Sequence, residues 1–83
     1  MTEQDLLDKL QEEAAEVIQA VSKIRRFGKY NHHPLRQTTN LEELVNELED
    51  FQAIVQALTA TQYLDPKPST TSINQKYLTL MGS

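Results

Sequence analysis

The side chains of this sequence best suited to chemistry stand in two short acidic runs, Glu12-Glu13-Ala14-Ala15-Glu16 and Glu47-Leu48-Glu49-Asp50. In each run, two acids three residues apart (Glu13 with Glu16, Glu47 with Asp50) fall on adjacent turns of one side of a helix. At ~100° per residue, Glu13 lies about 70° and Glu16 about 130° from the centre of the apolar stripe of its own segment. Glu47 and Asp50 lie about 65° and about 125° from theirs, in the same rotational sense. Helices packed antiparallel through those stripes bring both pairs to one flank of the seam, whereas parallel helices separate them. Four carboxylates at the edge of a low-dielectric seam repel one another, so protonation or a cation must compensate. Oxygen ligands without His or Cys suit Mg²⁺ or Mn²⁺, and Mg²⁺ commonly bridges substrate phosphates. The plain alternative is a solvated acidic face, since E-x-x-E is common on surface helices.

The elements that must position these acids are helices. Leu7, Leu10, Ala14, Val17, Val21 and Ile24 recur at three- and four-residue steps, predicting an amphipathic helix over 3–28. Thr2 is its expected N-cap, Lys23, Arg25 and Arg26 suit its last turns, and Gly28 is a natural stop. Residues 29–40 have no period and hold Pro34, so they form a loop, long for a helix–helix connection. Asn40 is the expected N-cap of a second helix over 41–63, with Glu43 completing a variant capping box. Its stripe runs Leu41, Leu44, Val45, Leu48, Phe51, Val55 and Leu58, with Ile54 at the edge. Asp65-Pro66-Lys67-Pro68-Ser69 breaks it. A short third helix is expected over 70–81, carrying Ile73, Tyr77, Leu78, Leu80 and Met81. The fold class is all-α: an antiparallel helical hairpin plus a short C-terminal helix, in one domain over residues 1–83.

Composition narrows the function. A chain of 83 residues with 39% apolar residues builds a thin core, and the absence of cysteine removes disulfides and thiolate metal sites. Oligomerisation into a larger helix bundle, a hard-metal site, or both are the expected remedies. A net charge of −4 argues against polymeric nucleic acid as a partner. No apolar run approaches the ~18 residues of a membrane span. Met1-Thr2-Glu3-Gln4-Asp5 lacks the basic start of a secretory signal, and the expected location is the cytoplasm.

With their flanks, the acidic runs resemble the MazG-type all-α nucleoside triphosphate pyrophosphohydrolases. Glu12-Glu13-Ala14-Ala15-Glu16-Val17-Ile18-Gln19, Lys23-Ile24-Arg25-Arg26-Phe27-Gly28, and Asn40-Leu41-Glu42-Glu43-Leu44 leading into Glu47-Leu48-x-Asp50 are similar to the small, phage-type members. Lys76-Tyr77-Leu78 looks like their late Lys-Tyr segment. The resemblance implies Mg²⁺-dependent hydrolysis between the α- and β-phosphates of a nucleoside triphosphate, with a preference for deoxynucleotides, in a homodimer or homotetramer of a bacterial or phage-infected cytoplasm. It implies Glu13, Glu16, Glu47 and Asp50 as metal-binding acids, with Glu13 and Glu47 serving catalysis and Glu12 positioning or activating water. The thirty residues between the acidic pairs slightly exceed the common range, and the aromatic residues that larger members place around the base are missing.

Lys23, Arg26 and Lys76 are candidates for phosphate contacts, Lys23 because it follows Glu16 by two turns on nearly the same angular line. Tyr77 and Tyr30 can stack on a base or simply pack. His32 and His33 lack helical ligand spacing, so loop solvation is expected of them, with base contact the lesser alternative, before metal binding. Asn31, Gln37 and Asn40 are equivalent candidates for reading base edges. Two rival functions remain in view. A non-catalytic helical interaction module explains the apolar stripe but not the paired acids. A phosphoribosyl-ATP pyrophosphatase has similar acidic helices, but the loop and the Arg-Phe-Gly ending of helix one fit it less well.

Overall fold

In the computed structural model, which describes residues 1–82, three helices follow one another: α1 (Glu3–Phe27), α2 (Asn40–Ala60) and α3 (Thr70–Gly82). No strand is present among the described residues, and the chain is all-helical, as the periodicity predicts. α1 starts where the sequence places it. Thr2 accepts the Asp5 N–H at 3.0 Å, and the Asp5 carboxylate accepts the Thr2 N–H at 3.0 Å in return. The Thr2 main-chain N–H, and after it the Thr2 hydroxyl, hold the Asp5 carboxyl below its usual range. Gly28 ends the helix at φ 91°, a conformation that a Cβ would strain, and its N–H caps the Ile24 carbonyl at 2.7 Å.

The start of α2 differs from the expectation by one residue. Thr39, rather than Asn40, is the N-cap, and its box partner is Glu42, rather than Glu43. Asn40 is instead buried, donating its side-chain amide to the Gly28 carbonyl at 3.0 Å. Glu43, released from capping, pairs with Arg36. Two main-chain bonds, Asn40 N–H to the Asn31 carbonyl (2.8 Å) and Leu41 N–H to the Lys29 carbonyl (2.9 Å), close the neck of the loop. α2 also ends earlier than residue 63. Gln62 turns left-handed at φ 63°, and the Tyr63 N–H reaches back to the Leu58 carbonyl at 3.1 Å, a Schellman-like stop. Ser69 starts α3, accepting the Ser72 N–H at 3.1 Å.

α1 and α2 pack antiparallel, the start of α1 against the end of α2, with Leu6, Ala20 and Leu58 buried between them. The helices are turned from the expected stripes. Leu7 and Val21 of α1, and Val45 and Leu48 of α2, lie exposed, while Glu13, Glu16 and Glu47 are half-buried. On a helical wheel, both seam faces have rotated toward the acids by roughly 60°. The reason is width: each apolar band is broader than one neighbouring helix can cover, and the buried residues, Leu6, Ala20 and Leu58, lie on its acid-flanked edge. α3 packs against neither helix, and Ile73, Tyr77, Leu78, Leu80 and Met81 are all exposed. The molecule is accordingly a slab of 43 × 39 × 15 Å, about one helix layer thick.

Candidate active site

The rotation of the seam decides where the acids stand. Glu13 and Glu47 sit in the middle of the half-buried faces of α1 and α2, with Asp50 on the solvent side. Glu13, Glu47 and Asp50 each offer a carboxylate oxygen to one locus, all three within 4.8 Å of one another. Glu16 joins them through a hydrogen bond with Glu47. Both acidic pairs thus meet on one flank of an antiparallel seam, as their matched offsets predict.

The electrostatics of this cluster are strained. Glu47 is pushed up to about 7, first by the hydrogen bond to the Glu16 carboxyl, then by burial, then by the charges of Glu16, Asp50 and Glu13. Two carboxyls can share a hydrogen bond only when one is protonated, so the Glu16–Glu47 pair favours holding a proton between them, and Glu47 is free to take one up once ionised. Glu13 is also raised, chiefly by burial and then by Glu16, Asp50 and Glu12, against a small opposing pull from Lys9. One oxygen of each, Oε2, is closed off from solvent and has no hydrogen-bond partner. Closely spaced acids with unpartnered lone pairs turned inward are the donor set that a hard divalent cation satisfies. The cluster could therefore hold such an ion, with Glu13, Glu16, Glu47 and Asp50 as its oxygen ligands.

The remaining candidates are distributed unevenly. Glu12 is exposed and pairs with Lys9 at 3.8 Å, so its carboxylate is turned out of the cluster. Lys23 is half-buried and lines a cleft of about 420 Å³ at the loop end of the hairpin. Arg26 is exposed, its guanidinium 5.2 Å from the centroid of the adjacent Phe27 ring, and it does not line that cleft. Lys76 and Tyr77 lie on α3, which packs on neither α1 nor α2, so one chain does not bring them to the acids. Of the three amides left equivalent by the sequence, Asn31 lines the cleft, Gln37 does not, and Asn40 spends its amide on the Gly28 carbonyl.

Comparison with known families gives one decisive match. Residues 1–77 match the model of the phosphoribosyl-ATP pyrophosphohydrolase family. The chain belongs to that family. Phosphoribosyl-ATP pyrophosphohydrolases fall within the MazG-like all-α superfamily that the acidic runs resemble, and pyrophosphohydrolase activity is common to both descriptions. The family assigned is thus the relative that the loop and the Arg-Phe-Gly ending fit less well. No curated protein and no solved structure matches the chain. Among the described residues, no helix is long and apolar enough to cross a membrane.

Proposed function

We propose that this phosphoribosyl-ATP pyrophosphohydrolase family member hydrolyses the α–β phosphoanhydride of a nucleoside triphosphate, releasing the monophosphate and pyrophosphate. The observation that carries the reading is the convergence of Glu13, Glu47 and Asp50, with Glu16 beside Glu47, and the solvent-closed, unpartnered Oε2 atoms of Glu13 and Glu47. Mg²⁺, with Mn²⁺ as a substitute, is the ion these oxygen ligands suit. When bound, it supplies Lewis-acid charge stabilisation on phosphoryl oxygens and a bound water of lowered pKa. The chain's own residues do the rest. Glu13 and Glu47 orient the attacking water and accept its proton, having the most raised affinity for one in the cluster. Glu12 adds negative charge beside Glu13 and keeps that carboxylate basic. Lys23, on the line of Glu16 and without an ion-pair partner among the described residues, draws the phosphate chain along α1. Arg26 serves the same end from the outer side of that helix.

The exposed apolar margins, Leu7, Ile18, Val21, Val45 and Leu48, together with the apolar residues of α3, support a homodimer or homotetramer. In such an assembly α3 carries Lys76 and Tyr77 toward a neighbouring copy's seam. The preference for a deoxynucleotide, and a phage or bacterial cytoplasmic setting, follow from the resemblance to small MazG-type members. A second reading takes phosphoribosyl-ATP itself as substrate, and the family match favours it. Hydrolysis of a panel containing all NTPs, dNTPs and phosphoribosyl-ATP with Mg²⁺ tests both, scoring pyrophosphate against orthophosphate. Pyrophosphate from simple triphosphates supports the first reading. Turnover of phosphoribosyl-ATP alone supports the second, and orthophosphate release or no turnover overturns both.

A further inference from the structure

The acidic seam leaves one feature of the molecule without a task, the cleft at the loop end of the hairpin. Its volume of about 420 Å³ falls within the range of small-molecule sites. Its shape is set by the backbone, because the neck bonds from Asn40 and Leu41 to Asn31 and Lys29, and a turn closed by the Arg36 N–H on the His33 carbonyl (2.9 Å), hold the loop. Lys23 stands at its entrance on the acid side. Seven residues separate Lys23 from Glu16, about 10.5 Å along the helix, so a molecule with phosphates on the seam passes Lys23 and enters the cleft.

The cleft's polar groups are specific. His33 accepts the Leu35 N–H at Nδ1 (3.1 Å), a bond that only the neutral ring makes, which leaves Nε2–H as a donor. His32 gives its Nδ1–H to the His33 carbonyl at 2.9 Å, which in the neutral ring leaves Nε2 as an acceptor. The Asn31 Oδ1 accepts the His32 N–H at 2.9 Å, and its amide hydrogens remain free. Phe27 supplies a flat, half-exposed ring to the same cavity. Donor, acceptor and aromatic face together fit a planar heterocycle with a mixed hydrogen-bonding edge. They do not fit a second phosphate. Arg36, the cation on the loop side, is already paired with Glu43, whose carboxylate also lines the wall.

We propose that this cleft holds the nucleobase of the substrate, with Phe27 stacking on it and Asn31, His32 and His33 reading its edge. The proposal rests on the seam being the phosphate site, and it narrows the substrate class to a nucleotide whose base carries no further phosphorylated sugar. NMR of the histidine rings and of the glutamate carboxyls of the full chain, with Mg²⁺, tests it. The probes are α,β-methylene triphosphates of each base and inorganic tripolyphosphate. The expected result is that the nucleotide analogues shift both the His32 and His33 rings and the Glu13 and Glu47 carboxyls, whereas tripolyphosphate shifts the carboxyls alone. Analogues that move the carboxyls but leave both rings unmoved overturn the base site and spare the seam. Ring shifts with tripolyphosphate make the cleft a phosphate site and overturn the proposal. Unmoved carboxyls with every probe overturn the seam reading and the base site with it. In kinetics, His33→Ala raises KM for the preferred base about tenfold and flattens the kcat/KM ratio between bases, and an unchanged ratio counts against the assignment.

Discussion

The α1–α2 hairpin and α3 have opposite needs. In the hairpin, the helices turn inward the edge that carries Glu13 and Glu47, so the seam gains a close approach at the cost of unpartnered carboxylate oxygens. α3 carries Ile73, Leu78, Leu80 and Met81 against nothing. The first region is over-supplied with charge, which a bound cation would offset, whereas the second is over-supplied with apolar surface, which a second copy would cover. On the proposed reading, a small domain without cysteine leaves its missing stability to two kinds of ligand.

The sharpest way to break this contrast is at the seam. Glu47→Gln lowers turnover by about 10²–10⁴-fold, while the far-UV CD spectrum and the melting temperature without metal hold or improve, since a repelling charge is gone. An active Glu47→Gln enzyme removes the seam from the mechanism. α3 is tested by Leu78→Asp combined with Leu80→Asp, which places two charges on its exposed apolar surface. The expected outcome is a fall in sedimentation coefficient to that of the monomer with the hairpin's helicity retained, and an unchanged coefficient shows that α3 does not join copies.

A smaller effect separates charge from packing through pH. Glu47 binds its proton more tightly in the fold than in the unfolded chain, with a value of about 7 against 4.5. Its neutral form therefore stabilises the fold fully at low pH, and stability without metal declines as pH rises from about 4.5 to about 7. On the proposed reading Mg²⁺ binds the ionised cluster, and the expected outcome is that it raises the melting temperature more at pH 8 than at pH 5.5. Calorimetry at both pH values, with and without Mg²⁺, checks the sign, and a metal shift that is larger at low pH contradicts it. Among the stability changes, Asn40→Ala costs about 1–3 kcal/mol by stranding the Gly28 carbonyl. The smallest change is a gain: Gln62→Gly relieves a left-handed residue and adds about 0.5–1 kcal/mol. Urea titrations measure both.

The helices and the meeting of the acids were legible in the sequence because both depend on local periodicity. Thr2, Gly28 and the run around Pro66 mark element ends by backbone chemistry alone. Equal angular offsets of Glu13 and Glu47 survive any rotation that turns both helices alike, so the acids meet even though the seam differs from the expected stripe. The rotation itself was not legible. Leu7 and Leu6 are chemically alike, and only the packing of the two helices selects between them. Thr39 and Asn40 are both good caps in adjacent positions, and the choice depends on the Gly28 carbonyl, twelve residues back, needing a donor. The cleft lay beyond the sequence for a related reason. Nothing in His32-His33-Pro34 announces that one ring will bond to the other's carbonyl.

The bonds that close the neck of the loop come from the main chain of Lys29, Asn31 and Leu41 and from Asn40 alone. Within residues 32–38 only Arg36 is tied to a helix by its side chain, through the Glu43 carboxylate, so the other positions can change without loosening either helix or moving an acid of the seam. On the proposed reading, a lineage built on this hairpin can drift in what it selects while the acidic seam stays fixed, which lets closely related chains diverge in substrate faster than in fold.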